Sequence, residues 1–87
     1  METDIYIQTH IEDLANEEAF GNWMAEVLPL IVQIPESEFP GGYGFVQFTF
    51  KKSSGESVVV EARIPKYLDP EVQKKSGAEL FHVFNIK

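Results

Sequence analysis

An α+β domain is predicted, a two-layer sandwich with one main helix and one short helix on one face of an antiparallel sheet, and three observations carry that prediction. A period-two alternation opens the chain at residues 3–8, a helical apolar stripe follows over residues 17–28, and residues 43–63 read as a hairpin whose two faces both match. The 87 residues make a single domain, 1–87, small enough that it must pack well or associate.

In residues 3–8, Ile5 and Ile7 lie on one side and Asp4, Tyr6 and Gln8 on the other, the signature of a half-buried strand. Thr9 and Glu12 then have capping-box spacing, yet Ile11, Leu14 and Ala15 fall opposite Phe20, Met24, Val27 and Ile31 on a helical wheel. One straight helix cannot bury both sets, so the break is placed at Asn16, which caps a helix over residues 17–28 with Glu17 and Glu18 at its positive end. Pro29 ends that helix, and residues 30–34 leave it as a short strand. Two Pro and two Gly make residues 35–42 an exposed loop.

Ser53, Ser54 and Gly55 form a three-residue turn with Gly at the left-handed position. Pairing Lys52 with Glu56 sets Phe50 opposite Val58, Phe48 opposite Val60 and Val46 opposite Ala62, so every pair on one face is apolar. The other face pairs Thr49 with Val59, Gln47 with Glu61 and Phe45 with Arg63. Asp69, Pro70 and Glu71 then start a short helix over residues 70–75, which Lys74, Lys75 and Gly77 close. Leu80, Phe81, Val83, Phe84 and Ile86 make residues 79–86 a strand covered on both faces, paired with the first strand or the hairpin. The resulting order of elements suggests the split βαβ, ferredoxin-like arrangement.

Charge is distributed unevenly. Residues 1–50 contain Glu2, Asp4, Glu12, Asp13, Glu17, Glu18, Glu26, Glu36 and Glu38 but no Lys or Arg, and the net charge of the chain is −7. Such a surface repels anionic lipid and phosphate and attracts basic protein surfaces, which disfavours nucleic acid and membrane as partners. The longest apolar run, residues 27–32, is too short to span a bilayer and contains Pro29. With no Cys and no leader-like segment, the expected setting is cytoplasmic, that of the host cell for a phage-encoded protein. Seven Phe, three Tyr and one Trp offset the small core and leave aromatic area for an interface, including that of a homodimer.

Chemistry-bearing motifs are sparse. His10, Glu12 and Asp13 do not point to one centre, and His82 sits among apolar neighbours. With two His, no Cys and no Gly-rich phosphate loop, no nucleophile, base and orienter assemble from recognisable spacing, so neither catalysis nor a metal or other cofactor is expected.

Gly42, Tyr43, Gly44, Phe45, Val46, Gln47 and Phe48 resemble the RNP1 segment of an RNA recognition motif, and Ile5, Tyr6, Ile7 and Gln8 resemble the start of its RNP2. The resemblance implies single-stranded RNA binding by base stacking on Tyr6, Phe45 and Tyr43. Gly41 stands where that family has Lys or Arg, and a hairpin follows where it places its second helix.

The leading expectation is a non-enzymatic protein-binding domain whose acidic face, Glu12, Asp13, Glu17, Glu18, Glu26, Glu36 and Glu38, docks on a basic surface. In size and charge the chain is similar to small phage-encoded inhibitors, anti-CRISPR proteins among them, which implies a nucleic-acid-binding protein or nuclease as partner and occupation of its phosphate site. Glu18 and Glu26 on one helix face stand about 12 Å apart at ~1.5 Å per residue, sparser than the roughly 1.7 Å per charge of duplex DNA, so mimicry needs the other acids. The alternatives are the RNA binder and an adaptor, immunity or structural subunit, for which an exposed aromatic patch of Trp23, Phe39 and Tyr43 is the cue.

Overall fold

The alternation that begins at Thr3 runs on to His10, forming strand β1 (Thr3–His10), whose residues are half-buried and exposed in turn. A computed structural model describes residues 2–85. Thr9 belongs to this strand rather than to a helix cap, because the run of Ile5, Ile7 and Thr9 continues one pleated face onto the core. Helix α1 (Glu17–Val32) begins as expected: the Asn16 side-chain oxygen accepts from the Ala19 backbone N–H at 3.0 Å.

Pro29 does not end α1. The helix continues one turn to Val32, and no strand forms at residues 30–34. Leu28 and Ile31, 0% and 8% exposed, lie on the buried side of that last turn, and their burial offsets the hydrogen bond that Pro29 cannot donate. A single 3₁₀ turn, Glu36–Glu38, then leads into β2 (Tyr43–Lys51), and β3 (Ser57–Arg63) returns beside it.

The hairpin register is the expected one throughout, with Phe50 opposite Val58, Phe48 opposite Val60, Val46 opposite Ala62 and Phe45 opposite Arg63. Gly55 carries φ +100°, and the turn is closed by Lys52 N–H donating to Glu56 at 2.8 Å.

The sheet itself differs from expectation. It has three strands in the order β1-β2-β3, with β1 parallel to β2 and β2 antiparallel to β3. The sheet is therefore mixed rather than antiparallel. No strand separates β1 from β2, so the unit is an ordinary βαβ crossover through α1, and the split, ferredoxin-like arrangement is not formed. The α+β class stands.

The C-terminal segment is helical. After two single turns, α2 (Ile64–Tyr67) and α3 (Pro70–Gln73), helix α4 (Gly77–Phe84) occupies most of the segment expected to be a strand; Ile86 lies outside the described residues. A short continuous apolar run has no period that separates strand from helix. Two features decide it. Wound as a helix, the segment turns Leu80 and Phe81 inward while Glu79 and His82 face solvent. The second is Gly77, which stands at φ +57° where α4 meets α1: a Cβ on Gly21 of α1 would overlap the Gly77 carbonyl oxygen, so only glycine permits this approach.

The core lies between the helices and one sheet face. Phe20 stacks on Phe50 at 4.3 Å and tilts against Phe81 at 5.3 Å, joining α1, β2 and α4 in one cluster. No helix of the described residues is long and apolar enough to cross a membrane.

Candidate functional site

The seven acids expected to form one docking face are distributed over four places. Glu12 and Asp13 follow β1, Glu17 and Glu18 begin α1, Glu26 lies midway along it, and Glu36 and Glu38 sit in the 3₁₀ turn beyond its far end. Sixteen helical residues at about 1.5 Å each put roughly 24 Å between the first and last of these groups.

Most of these carboxylates also hold the fold. Glu18 accepts from the Ala78 N–H of α4 at 2.9 Å, Glu36 from the Tyr43 N–H at 3.2 Å, and Asp13 from the Ala15 N–H at 2.9 Å. Glu12 accepts from the Ser53 hydroxyl at 2.6 Å, and Glu17 meets His82 at 3.0 Å. Outside the predicted set, Asp4 accepts from the Phe45 N–H at 3.2 Å and Glu2 pairs with Arg63 at 3.2 Å. Of the nine acids in residues 1–50, Glu26 and Glu38 alone have no partner among the described residues. Acids are thus abundant here partly because backbone N–H groups at turns and helix starts need acceptors.

The Ser53 hydroxyl bond, aided by the Ser53 N–H and by the His10 and Lys52 charges, holds the Glu12 carboxyl below its usual value against a smaller opposing effect of burial. Burial pushes the Tyr67 phenol up from its usual value. His10 and Glu12 approach to 3.1 Å, but no group of three His, Asp or Glu side chains fit to hold a metal occurs among the described residues, and no pocket is found among them.

The aromatic patch of Trp23, Phe39 and Tyr43 is not assembled on the surface. Trp23 is half-buried, edge-on to Phe48 at 5.4 Å and Phe50 at 5.9 Å, and Phe39 is buried against Tyr43, whose hydroxyl donates to the Ile34 carbonyl at 2.7 Å. These rings serve the core and the loop that leads into β2.

A different aromatic pair is displayed. Tyr6, 66% exposed on β1, meets half-buried Phe45 of β2 edge-on at 5.8 Å, on the sheet face turned away from α1 and α4. In the register Gln47 stands beside Tyr6 and Arg63 beside Phe45, with Gln8, Thr49 and Val59 farther along the same face. The cation nearest to it in the sheet register, Arg63, is engaged by Glu2 and, at 3.8 Å, by Glu61, so the open face has a stacking pair without a basic groove. Alternation in residues 3–8 and 45–49 identified which side chains share this face; the parallel β1–β2 register that brings Tyr6 beside Phe45 has no local sequence signal.

Set against family models, curated proteins and solved structures, the chain shows no match.

Proposed function

We propose that this is a non-enzymatic protein-binding domain whose negative surface docks on a basic surface of another protein. The observation that carries the reading is the absence of Lys and Arg from residues 1–50, in which even the carboxylates that accept from backbone N–H groups, Asp4, Asp13, Glu18 and Glu36 among them, stay exposed. Charge of one sign over so much of a small surface accelerates and orients association with an opposite charge. A nucleic-acid-binding protein or nuclease, with its phosphate site occupied by this chain, is the partner that best fits that charge, as for the phage-encoded inhibitors it resembles in size and acidity. Capture on the immobilised full chain, followed by a salt gradient, tests this. The expected partner is basic, is released by a few hundred millimolar salt, and is retained less well when Glu26 and Glu38 are changed to Lys. Retention indifferent to salt and to both substitutions sinks the reading.

Single-stranded RNA binding is the second reading, favoured by one observation: Tyr6 and Phe45 lie side by side on an open sheet face. It predicts that an RNA oligonucleotide binds the wild-type chain and that Tyr6→Ala removes most of the affinity, since stacking contributes about 1–3 kcal/mol per base.

A further inference from the structure

Strand β1 is an edge of the sheet. The Thr3 and Ile11 N–H groups donate across to Gly42 and Lys51, each at 3.0 Å; the register to β2 shifts between Thr3 and Ile5, but the alternation of β1 itself continues and turns the N–H groups of Ile5, Ile7 and Thr9 the same way. The backbone N–H and C=O groups of Asp4, Tyr6, Gln8 and His10 therefore point away from β2, and no further strand of the described residues pairs on that side. Eight residues at about 3.3 Å each leave a free edge roughly 26 Å long.

Sheet edges in monomers are ordinarily blocked by Lys, Pro or short length. This one has none of these. The strand and its ends carry Glu2, Asp4, His10, Glu12 and Asp13; Arg63 already pairs with Glu2 at 3.2 Å and Lys51 stands opposite His10 on β2, which leaves Asp4 and Asp13 without a cation partner among the described residues. Parallel strand pairs are also normally covered on both faces, whereas Tyr6 on the outer side of this pair is 66% exposed.

We infer that β1 is the docking edge for an extended basic segment of the partner protein, which adds as a fourth strand. Its main chain bonds the outward groups of Asp4, Tyr6, Gln8 and His10, its Lys or Arg side chains lie on the outer face beside Asp4 and toward Glu12 and Asp13, and its alternate, apolar side chains turn to the other face, toward half-buried Ile5 and Ile7. Charge selects this occupant over a second copy, which would set −7 against −7 and acids against acids. The inference rests on the reading of a basic protein partner and specifies where that partner binds.

The test uses the full ¹⁵N-labelled chain and two synthetic eight-residue peptides, one alternating Lys with Val and one alternating Glu with Val. The Lys peptide is expected to slow amide exchange of Tyr6, Gln8 and His10 by about ten-fold or more while leaving α1 unchanged, and the Glu peptide to have no effect. Gln8→Pro deletes one outward N–H without touching the β1–β2 ladder and is expected to abolish that protection. Gln8→Lys keeps the N–H and sets a cation on the edge; its spectrum verifies the fold, and peptide affinity should fall several-fold. Protection of these amides without peptide, rising with protein concentration, gives the edge to a second copy and overturns the inference. So does absence of protection at millimolar Lys peptide. Salt-sensitive binding of the Lys peptide that ignores Gln8→Pro and perturbs Glu26 and Glu38 overturns the edge but leaves the basic-partner reading standing. Equal binding of the Glu peptide overturns both.

Discussion

The two faces of β2 meet opposite environments. Toward the helices, Val46, Phe48 and Phe50 are at most 1% exposed, sealed under Phe20 and Trp23 of α1. Toward solvent, Phe45, Gln47 and Thr49 are only half-buried, between exposed Tyr6 and Val59. One strand therefore supplies both the centre of the core and the centre of an open surface. Core and open-surface residues alternate along β2, so substitutions one position apart can separate an effect on stability from an effect on the open face.

The largest expected effect tests that separation directly. Phe48→Ala should cost about 3–5 kcal/mol, close to the whole stability of a domain this small, because it empties a site ringed by Trp23 and Phe50. Phe45→Ala loses its edge-on contact with Tyr6 and little else, about 1 kcal/mol. Urea unfolding of both variants measures the contrast; equal losses would mean that the open face is as much a part of the core as the covered one.

The same contrast occurs in miniature along α1, where Glu18 and Glu26 share one exposed face. Glu18 receives the Ala78 N–H and so supplies the cap that Ser76 does not give α4. Glu18→Ala should cost about 1 kcal/mol and Glu26→Ala less than about 0.5 kcal/mol, read from shifts in the urea midpoint. If both were silent, the charge on this face would be free for partners throughout, and the structural use of Glu18 would be dismissed.

How much of this was legible in the sequence depends on the range of the interaction. The hairpin could be read in full because its turn, its register and both its faces are set by residues within twenty positions of one another. The start of α1 was equally local, fixed by Asn16 and the two acids that follow. Failures came where distant segments decide. Residues 77–84 wind as a helix because Gly77 admits close approach to Gly21 and because Glu18, sixty positions away, caps Ala78. Pro29 stays inside α1 because Leu28 and Ile31 are buried by other elements. The charge of the acids is visible in the sequence, whereas the backbone N–H groups that most of them satisfy are not.

The smallest expected effect concerns Glu12, which ties the loop after β1 to the hairpin turn. Its carboxyl is held below the usual 4.5 chiefly by the Ser53 hydroxyl. A folded-state value lower than the unfolded one means that the contribution to stability is fully present above the unfolded value and is lost as pH falls through the lowered one. The window therefore opens near 4.5 and extends downward, leaving neutral pH untouched. Ser53→Ala should move the Glu12 titration, followed by carboxyl ¹³C shifts, back toward the usual value, with a residual depression from the His10 and Lys52 charges. An unchanged titration in that variant would assign the depression to the neighbouring cations. Because Glu12 is an anion at pH 7 with or without Ser53, the substitution loosens the link between the acidic loop and the hairpin while keeping the charge. Binding of the Lys peptide at pH 7 should then survive Ser53→Ala, which separates the electrostatic part of recognition from the positioning of the loop.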